Sequence, residues 1–367
     1  MYAQDDADEQ ASQVSDMTEE GISAMVIAPV DPYGLSEELK AAKEAEIPVI
    51  AYDDLIMNTD ALKYYVTFGG RQIGQLIGQE IIDKEELEKL QEAKESKTIE
   101  FFMGSLDDEQ ALFFYNGLME KLQPYLDDGT LVCKSGQITF EETGILRWSM
   151  DEAQSRAEET LSEFYSDTET PDIICTGFDG AAEGVLKALR NDGLTLGENW
   201  PMITGVGCDA DAVRDVAESE IACSVFMDRR VLADQAEDMV NVYLHGEDDP
   251  EVNDYEQYDN GTKIIASYLC EPQLINIDNY EILIDNGYYT EDEVKPEATP
   301  TPEPTVTPEM TEKPDVTATP EVTESPEATI TPEVTEESEE TATPTPTEKV
   351  TPTPKERVTL KRSTKNK

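Results

Sequence analysis

Residues Gly21–Asp54 read GISAMVIAPVDPYGLSEELKAAKEAEIPVIAYDD. A short apolar run, Ala24–Pro29, is followed by a polar loop, an amphipathic helical stretch at Leu35–Ala45 and a second apolar run, Pro48–Tyr52. Runs this short and this rich in Val and Ile are the signature of strands covered on both faces, as in parallel sheets. Strand, helix and strand in succession is the repeating unit of an α/β fold.

The same alternation continues to residue 290. Further strands are expected at Tyr65–Phe68, Ile99–Met103, Leu131–Lys134, Ile173–Thr176, Met202–Gly205, Cys223–Phe226 and Lys263–Ala266. Helices are expected at Leu112–Leu122, where Phe113, Leu118, Met119 and Leu122 supply an apolar face, and at Asp151–Phe164, Ala181–Asn191, Ala210–Ala217 and Val231–Leu244. This is the pattern of a doubly wound α/β protein, in which ligands sit beyond the carboxyl ends of the strands. The loops that follow strands are therefore where function is sought.

Charge removes one class of partner. The 367 residues carry 81 Asp and Glu against 27 Lys and Arg, a formal charge of -54. Such a surface repels phosphate, so neither nucleic acid nor an anionic membrane is an expected direct partner. The hydrophobic share, 38%, is low because of one segment: residues 296–367 hold 13 of the 21 prolines and neither glycine nor an aromatic residue. That segment has 15 acidic and 8 basic residues, leaving 66 and 19 for residues 1–295, which thus carry -47 by themselves. A body of 295 residues is near the size limit of a single core, so two lobes are expected.

Other chemistry is excluded by what the composition lacks. No run of about 20 apolar residues occurs, as a membrane-spanning helix requires. The opening MYAQDDADEQ has no charged-then-apolar export pattern. His245 is the only histidine, which removes Ser-His-Asp, Cys-His and His-based metal chemistry. Cys133, Cys175, Cys208, Cys223 and Cys270 have no CxxC spacing and read as buried structural thiols, with at least one unpaired within the chain. No cofactor and no metal is expected. Paired carboxylates would suit a glycosidase, but scattered Asp and Glu are the ordinary composition of an acidic face, and an enzyme is the least favoured reading.

The tail is different in kind. Pro302, Pro308, Pro314, Pro320, Pro326 and Pro332 recur every six residues, and PDVTAT, PEVTES, PEATIT and PEVTEE are near-copies. Thr, Pro and Glu without large apolar side chains do not offset the entropy cost of folding. Residues 295–367 therefore read as a disordered, extended spacer ending in the basic KERVTLKRSTKNK.

Gly21–Asp54 resembles the repeating core of the type I periplasmic sugar-binding proteins. So do LQPYLDDGTLVCKSGQITFEETGILRW (122–148), TGVGCDADAV (204–213), CSVFMDRR (223–230), EVNDYEQYDNGTKIIASYLCEP (251–272) and IDNGYYTEDEV (284–294), which look like the xylose and multiple-sugar branch of the ABC-transporter substrate-binding proteins. The resemblance implies two Rossmann-like lobes with a sugar in the cleft between them. It places the crossovers near Met103–Leu106, Ser224–Asp228 and Ala266–Leu269. One lobe is then 1–103 with 227–265, the other 104–226 with 266–294. The family's first strand and helix precede the point matched by Tyr2-Ala3-Gln4, so the N-terminal lobe is expected to lack them, and the gene product to begin further upstream with an export signal.

For the site, the resemblance implies that Trp148 stacks on the sugar and that Asp209 grips two hydroxyls. Arg147, Asp179 and Phe178 occupy further loops of the cleft. At other matched positions this chain departs from the family: an Arg becomes Asp54, an Asn-Asn pair becomes Glu109-Gln110, and a Lys becomes Met227. Two cations and at least two amides are replaced, and two acids arrive. The function expected is that of an extracytoplasmic, monomeric solute-binding protein delivering a small-molecule sugar to an ABC transporter permease or a membrane sensor. The alternatives are a wall-tethered sugar-binding sensor or adhesion module, and a truncated non-binding fragment.

Overall fold

The computed structural model describes residues 1–165, 169–197, 199–246 and 249–295. The tail expected to be disordered, from 296 onward, lies outside the described residues.

In chain order the elements are α1 (Ala7–Glu20), β1 (Met25–Ile27), α2 (Ser36–Glu44), β2 (Val49–Tyr52), β3 (Leu62–Phe68), α3 (Gly70–Lys84), α4 (Leu87–Ala93), β4 (Lys97–Phe102), α5 (Glu109–Asp128), β5 (Leu131–Val132), α6 (Phe140–Thr143), α7 (Met150–Phe164), β6 (Ile173–Thr176), α8 (Asp179–Asn191), β7 (Met202–Gly207), α9 (Ala210–Ala217), β8 (Cys223–Phe226), α10 (Arg229–His245), β9 (Ser267–Cys270), β10 (Gln273–Asn276), α11 (Ile282–Asp285) and α12 (Glu291–Val294). They build two sheets. The first is parallel, in the order β1-β2-β3-β9; the second has six strands, β10-β8-β7-β6-β4-β5, parallel except where β10 meets β8. Every residue of β6 and β8 is buried, as strands with helices on both faces must be. No helix among the described residues is long and apolar enough to cross a membrane.

The sheets correct two expectations. Lys97–Phe102 pairs with β5 and β6, so it belongs to the second sheet. The chain therefore first leaves the first sheet after Phe68, well before Met103–Leu106, and α3 goes with it to pack on α5. At Lys263–Ala266 no strand forms. Ile264 makes only an isolated bridge to Asp259 and is 51% exposed, while Lys263 Nζ donates to the carbonyl of Leu62. The strand starts at Ser267, where register with Tyr65 begins, and the last crossover falls between Cys270 and Gln273.

β1 is the edge of the first sheet. It pairs with β2 alone, Val26 is 43% exposed, and among the described residues no strand lies beyond it. The first sheet thus has four strands against six in the second. α1, α3, α4, α6, β10, α11 and α12 were not anticipated. α1 buries only Val14, so it lacks a readable apolar stripe.

α3 carries Gly70, Gly74 and Gly78 on one face, and these bring its backbone against α5. A Cβ at Gly74 would lie 2.0 Å from the carbonyl oxygen of Phe114, and one at Gly117 would lie 2.0 Å from that of Arg71. Backbone cannot yield as a side-chain tip can. Gly117→Ala is therefore expected at the top of the overpacking range, about 3 kcal/mol, read as a lower urea midpoint; an unchanged midpoint would contradict this packing.

Candidate binding cleft

The loops after β1 and β2 face those after β4 and α6 across a cleft of about 700 Å³. From the first lobe come Tyr33, Asp54 and Tyr258; from the second come Asp108, Glu109, Gln110, Arg147 and Trp148.

Several of these loops are held in uncommon backbone conformations. Asp53 (φ 66°), Arg147 (φ 56°), Trp148 (φ 53°) and Cys208 (φ 55°) are non-glycine residues in the left-handed region. Such residues cost about 1–3 kcal/mol each and persist only where neighbours fix them. Here the fixing bonds are visible. The Asp53 carbonyl accepts from Thr67 Oγ1 at 2.8 Å and from the Tyr65 hydroxyl. Arg147 N–H donates to Ser105 Oγ at 2.8 Å. Cys208 N–H donates to Ser224 Oγ at 3.1 Å, and its carbonyl accepts from Tyr289 Oη at 2.8 Å.

Trp148 is 39% exposed, unusual for so large an apolar ring in a cleft. The outer edge of its six-membered ring abuts Gly104, where a Cβ would meet Cη2 at 2.3 Å and Cζ3 at 2.5 Å. Phe178 meets it edge-on, with centroids 5.2 Å apart and planes at 87°. The ring is thus held by Gly104 and Phe178 while it stays partly exposed in the cleft.

The cleft is acidic on both lobes, through Asp54 of the first and Asp107, Asp108 and Glu109 of the second. Burial raises the Asp54 carboxyl to about 6, with the neighbouring charges of Asp53 and Asp108 adding to the effect. Burial also raises Asp108 and Glu109, and Asp259 and Asp108 push Glu109 further. Asp107 is lowered instead, first by the Ser105 hydroxyl and in part by Arg147. Burial raises Asp53 while the Arg229 guanidinium offsets it, placing a second cation beside Asp53. Gln110 Nε2 donates to Tyr65 Oη at 2.9 Å, and its Oε1 is buried without a partner among the described residues.

Beside the aromatic brace, β6, β7 and β8 end in a buried polar knot. Asp179, 2% exposed, accepts from Ser224 Oγ at 2.7 Å and from Asp209 N–H at 2.8 Å. Gly205 and Gly207 flank it, and a Cβ on Gly205 would lie 2.4 Å from Asp179 Oδ1. Burial raises the Asp179 carboxyl to about 7, against the pull of its two donors.

A family model for the periplasmic binding protein domain matches residues 1–248. The chain belongs to the periplasmic binding protein family. It is 40% identical to the multiple sugar-binding periplasmic receptor ChvE of Rhizobium radiobacter over 80% of this chain and 82% of that protein. It is 36% identical to the multiple sugar-binding periplasmic protein SbpA of Azospirillum brasilense over 80% and 81%. An ABC transporter solute binding protein from Clostridium phytofermentans, solved with bound β-D-glucose, superposes with a TM-score of 0.71 at 40% identity, covering 80% of this chain and 89% of that one.

In this periplasmic binding protein the cleft brings together Asp54, Glu109, Gln110, Arg147 and Trp148. Phe178 joins them through Trp148. Asp209 caps the adjoining strand end, exposed, with its N–H tied to Asp179. Asp179 itself is turned into the lobe rather than toward the cleft. Met227 is half-buried against the main core and does not line the cleft. The sequence reading missed Tyr65, Asp108, Tyr258 and Arg229. Asp108 was legible as the N-cap of α5, whose Gln110 N–H it accepts at 2.7 Å. Tyr258 lies in an irregular segment far along the chain, and no local pattern brings it to Tyr65, 5.0 Å away between centroids.

Proposed function

We propose that this protein is an extracytoplasmic receptor that holds a monosaccharide between its lobes and presents it to an ABC-type permease, without chemistry on the sugar. The observation that carries this reading is the Trp148 ring, held by Gly104 and Phe178 and partly exposed in a cleft lined with charged and amide groups. A pyranose has an apolar face for such a ring and a rim of hydroxyls for such groups. Arg147 donates to hydroxyl oxygens, Asp54, Glu109 and Asp209 accept from hydroxyls, and Gln110 ties the second lobe to Tyr65 of the first. Asp179 positions the Asp209 loop. Relatives that bind sugars at 40% identity support the same reading. Closure of the two lobes about their crossovers would enclose the ligand.

Calorimetric titration with a panel of aldoses tests the proposal. Saturable binding is expected, weakened by about ten- to a hundred-fold in Asp209→Ala, since a hydrogen bond to a charged group contributes about 1.5–3 kcal/mol. Absence of heat with every sugar would overturn the reading; unchanged affinity in Asp209→Ala would remove Asp209 from the site.

A further inference from the structure

Four carboxylates line the cleft, Asp54, Asp107, Asp108 and Glu109, against one lining guanidinium, Arg147, with Arg229 further back beside Asp53. Asp107 is engaged by Ser105 and lies in the field of Arg147. The other three form no ion pair within 4.0 Å among the described residues. Burial first, and then the charges of Asp53 and Asp108, raise Asp54; burial, and then Asp259 and Asp108, raise Glu109.

A hydroxyl both donates and accepts, so a site for neutral sugar gains from mixing cations with acids. A carboxylate only accepts, and an ammonium only donates. The acidic lining therefore answers an ammonium better than it answers a hydroxyl. A cation there also relieves the mutual repulsion of the carboxylates, which a hydroxyl does not. Tyr33 and Trp148, 61% and 39% exposed, face the same cleft, and ring faces attract both the apolar side of a sugar and a cation.

We propose that the cleft selects monosaccharides bearing a protonated amine over neutral sugars of the same shape, with Asp54 as the counter-charge and Trp148 beneath the ring. This rests on the sugar-binding reading and names the class of sugar. It also gives a role to Asp54, which stands where the resembling family carries an arginine.

Calorimetry on the full chain near neutral pH, where Asp54 is ionised, compares D-glucosamine, D-glucose and N-acetyl-D-glucosamine. The last has the same substituent position without the charge. Glucosamine is expected to bind at least about tenfold more tightly than either. The advantage should vanish in Asp54→Asn, persist in Asp54→Glu, and shrink as salt is raised. A thermal melt of each variant confirms that it is folded. Glucose or N-acetylglucosamine binding as tightly as glucosamine would overturn the proposal and leave the sugar-binding reading standing. So would a preference that survives Asp54→Asn. If none of the three sugars binds, this inference falls; the sugar-binding reading falls with it only when the wider aldose panel gives no heat either.

Discussion

Trp148→Ala is expected to weaken sugar binding by about thirty-fold or more. Truncating a tryptophan at the centre of a binding surface costs about 2 kcal/mol or more, and 1.4 kcal/mol is tenfold. The geometry says why this ring is effective. Gly104 and the edge of Phe178 hold it in place, so little rotamer freedom remains to be lost on binding. The same geometry supplies an independent test. Gly104→Ala puts a methyl group 2.3 Å from Cη2, so the ring must move, and affinity should fall although no ligand-contacting group has been removed. Full affinity in both variants, by calorimetry, would take Trp148 out of the site.

Asp179 gives the second large effect, on stability. Its pKa rises from 3.8 in an unfolded carboxyl to about 7 in the fold, through burial. The folded protein therefore keeps a proton that the unfolded chain has released. Stability contributed by this group is full below about pH 4 and lost as pH rises toward about 7; above that the loss is constant. At about 1.4 kcal/mol per pKa unit the loss approaches roughly 4 kcal/mol. Asp54 and Asp215, raised to about 6 and about 7, slope in the same direction, so the comparison with a variant isolates Asp179. Asn has the same shape, can donate to Ser224 Oγ and can accept from Asp209 N–H. Asp179→Asn is therefore expected to flatten the pH profile and to melt above the parent protein at pH 8. A parent profile that rises from pH 4 to pH 7, or a variant less stable than the parent at pH 8, would contradict the buried, proton-holding carboxyl.

Most of the fold was legible because buried parallel strands announce themselves as apolar runs. Ile173–Thr176, Cys223–Phe226 and Ala210–Ala217 were read to the residue. What failed was assignment of strands to sheets. Nothing in KTIEFF says whether it pairs with β3 or with β6, because pairing is settled by crossover geometry. α3 escaped notice because glycines at every fourth position look like helix breakers, whereas here they allow close backbone approach to α5. Lys263–Ala266 misled because Ile264 and Ile265 make an apolar pair whose members part company, one exposed and one buried.

The residues proposed for the site come from loops and helix starts that the sequence singled out. Asp54, Glu109, Gln110, Arg147 and Trp148 follow strands or open helices, and they meet in one cleft. The orientation of each side chain was not legible. Asp179 and Asp209 both occupy loops at strand ends, yet the packing of Gly205 and Ser224 draws only Asp179 inward. Arg229 begins α10 two residues beyond Met227, and it is Arg229 that faces Asp53.

The chain has two tryptophans, and Trp200 lies apart from the cleft, its Nε1 donating to the carbonyl of Glu220 at 2.8 Å. In Trp200→Phe, fluorescence therefore reports Trp148 alone. Titrating that variant with a panel of D-glucose, D-xylose and D-glucosamine tests most directly whether a sugar enters this cleft. A saturable change in emission, with the same midpoint as the heat of binding, is the predicted result; sugar binding by calorimetry with no change in Trp148 emission would place the ligand elsewhere and contradict it.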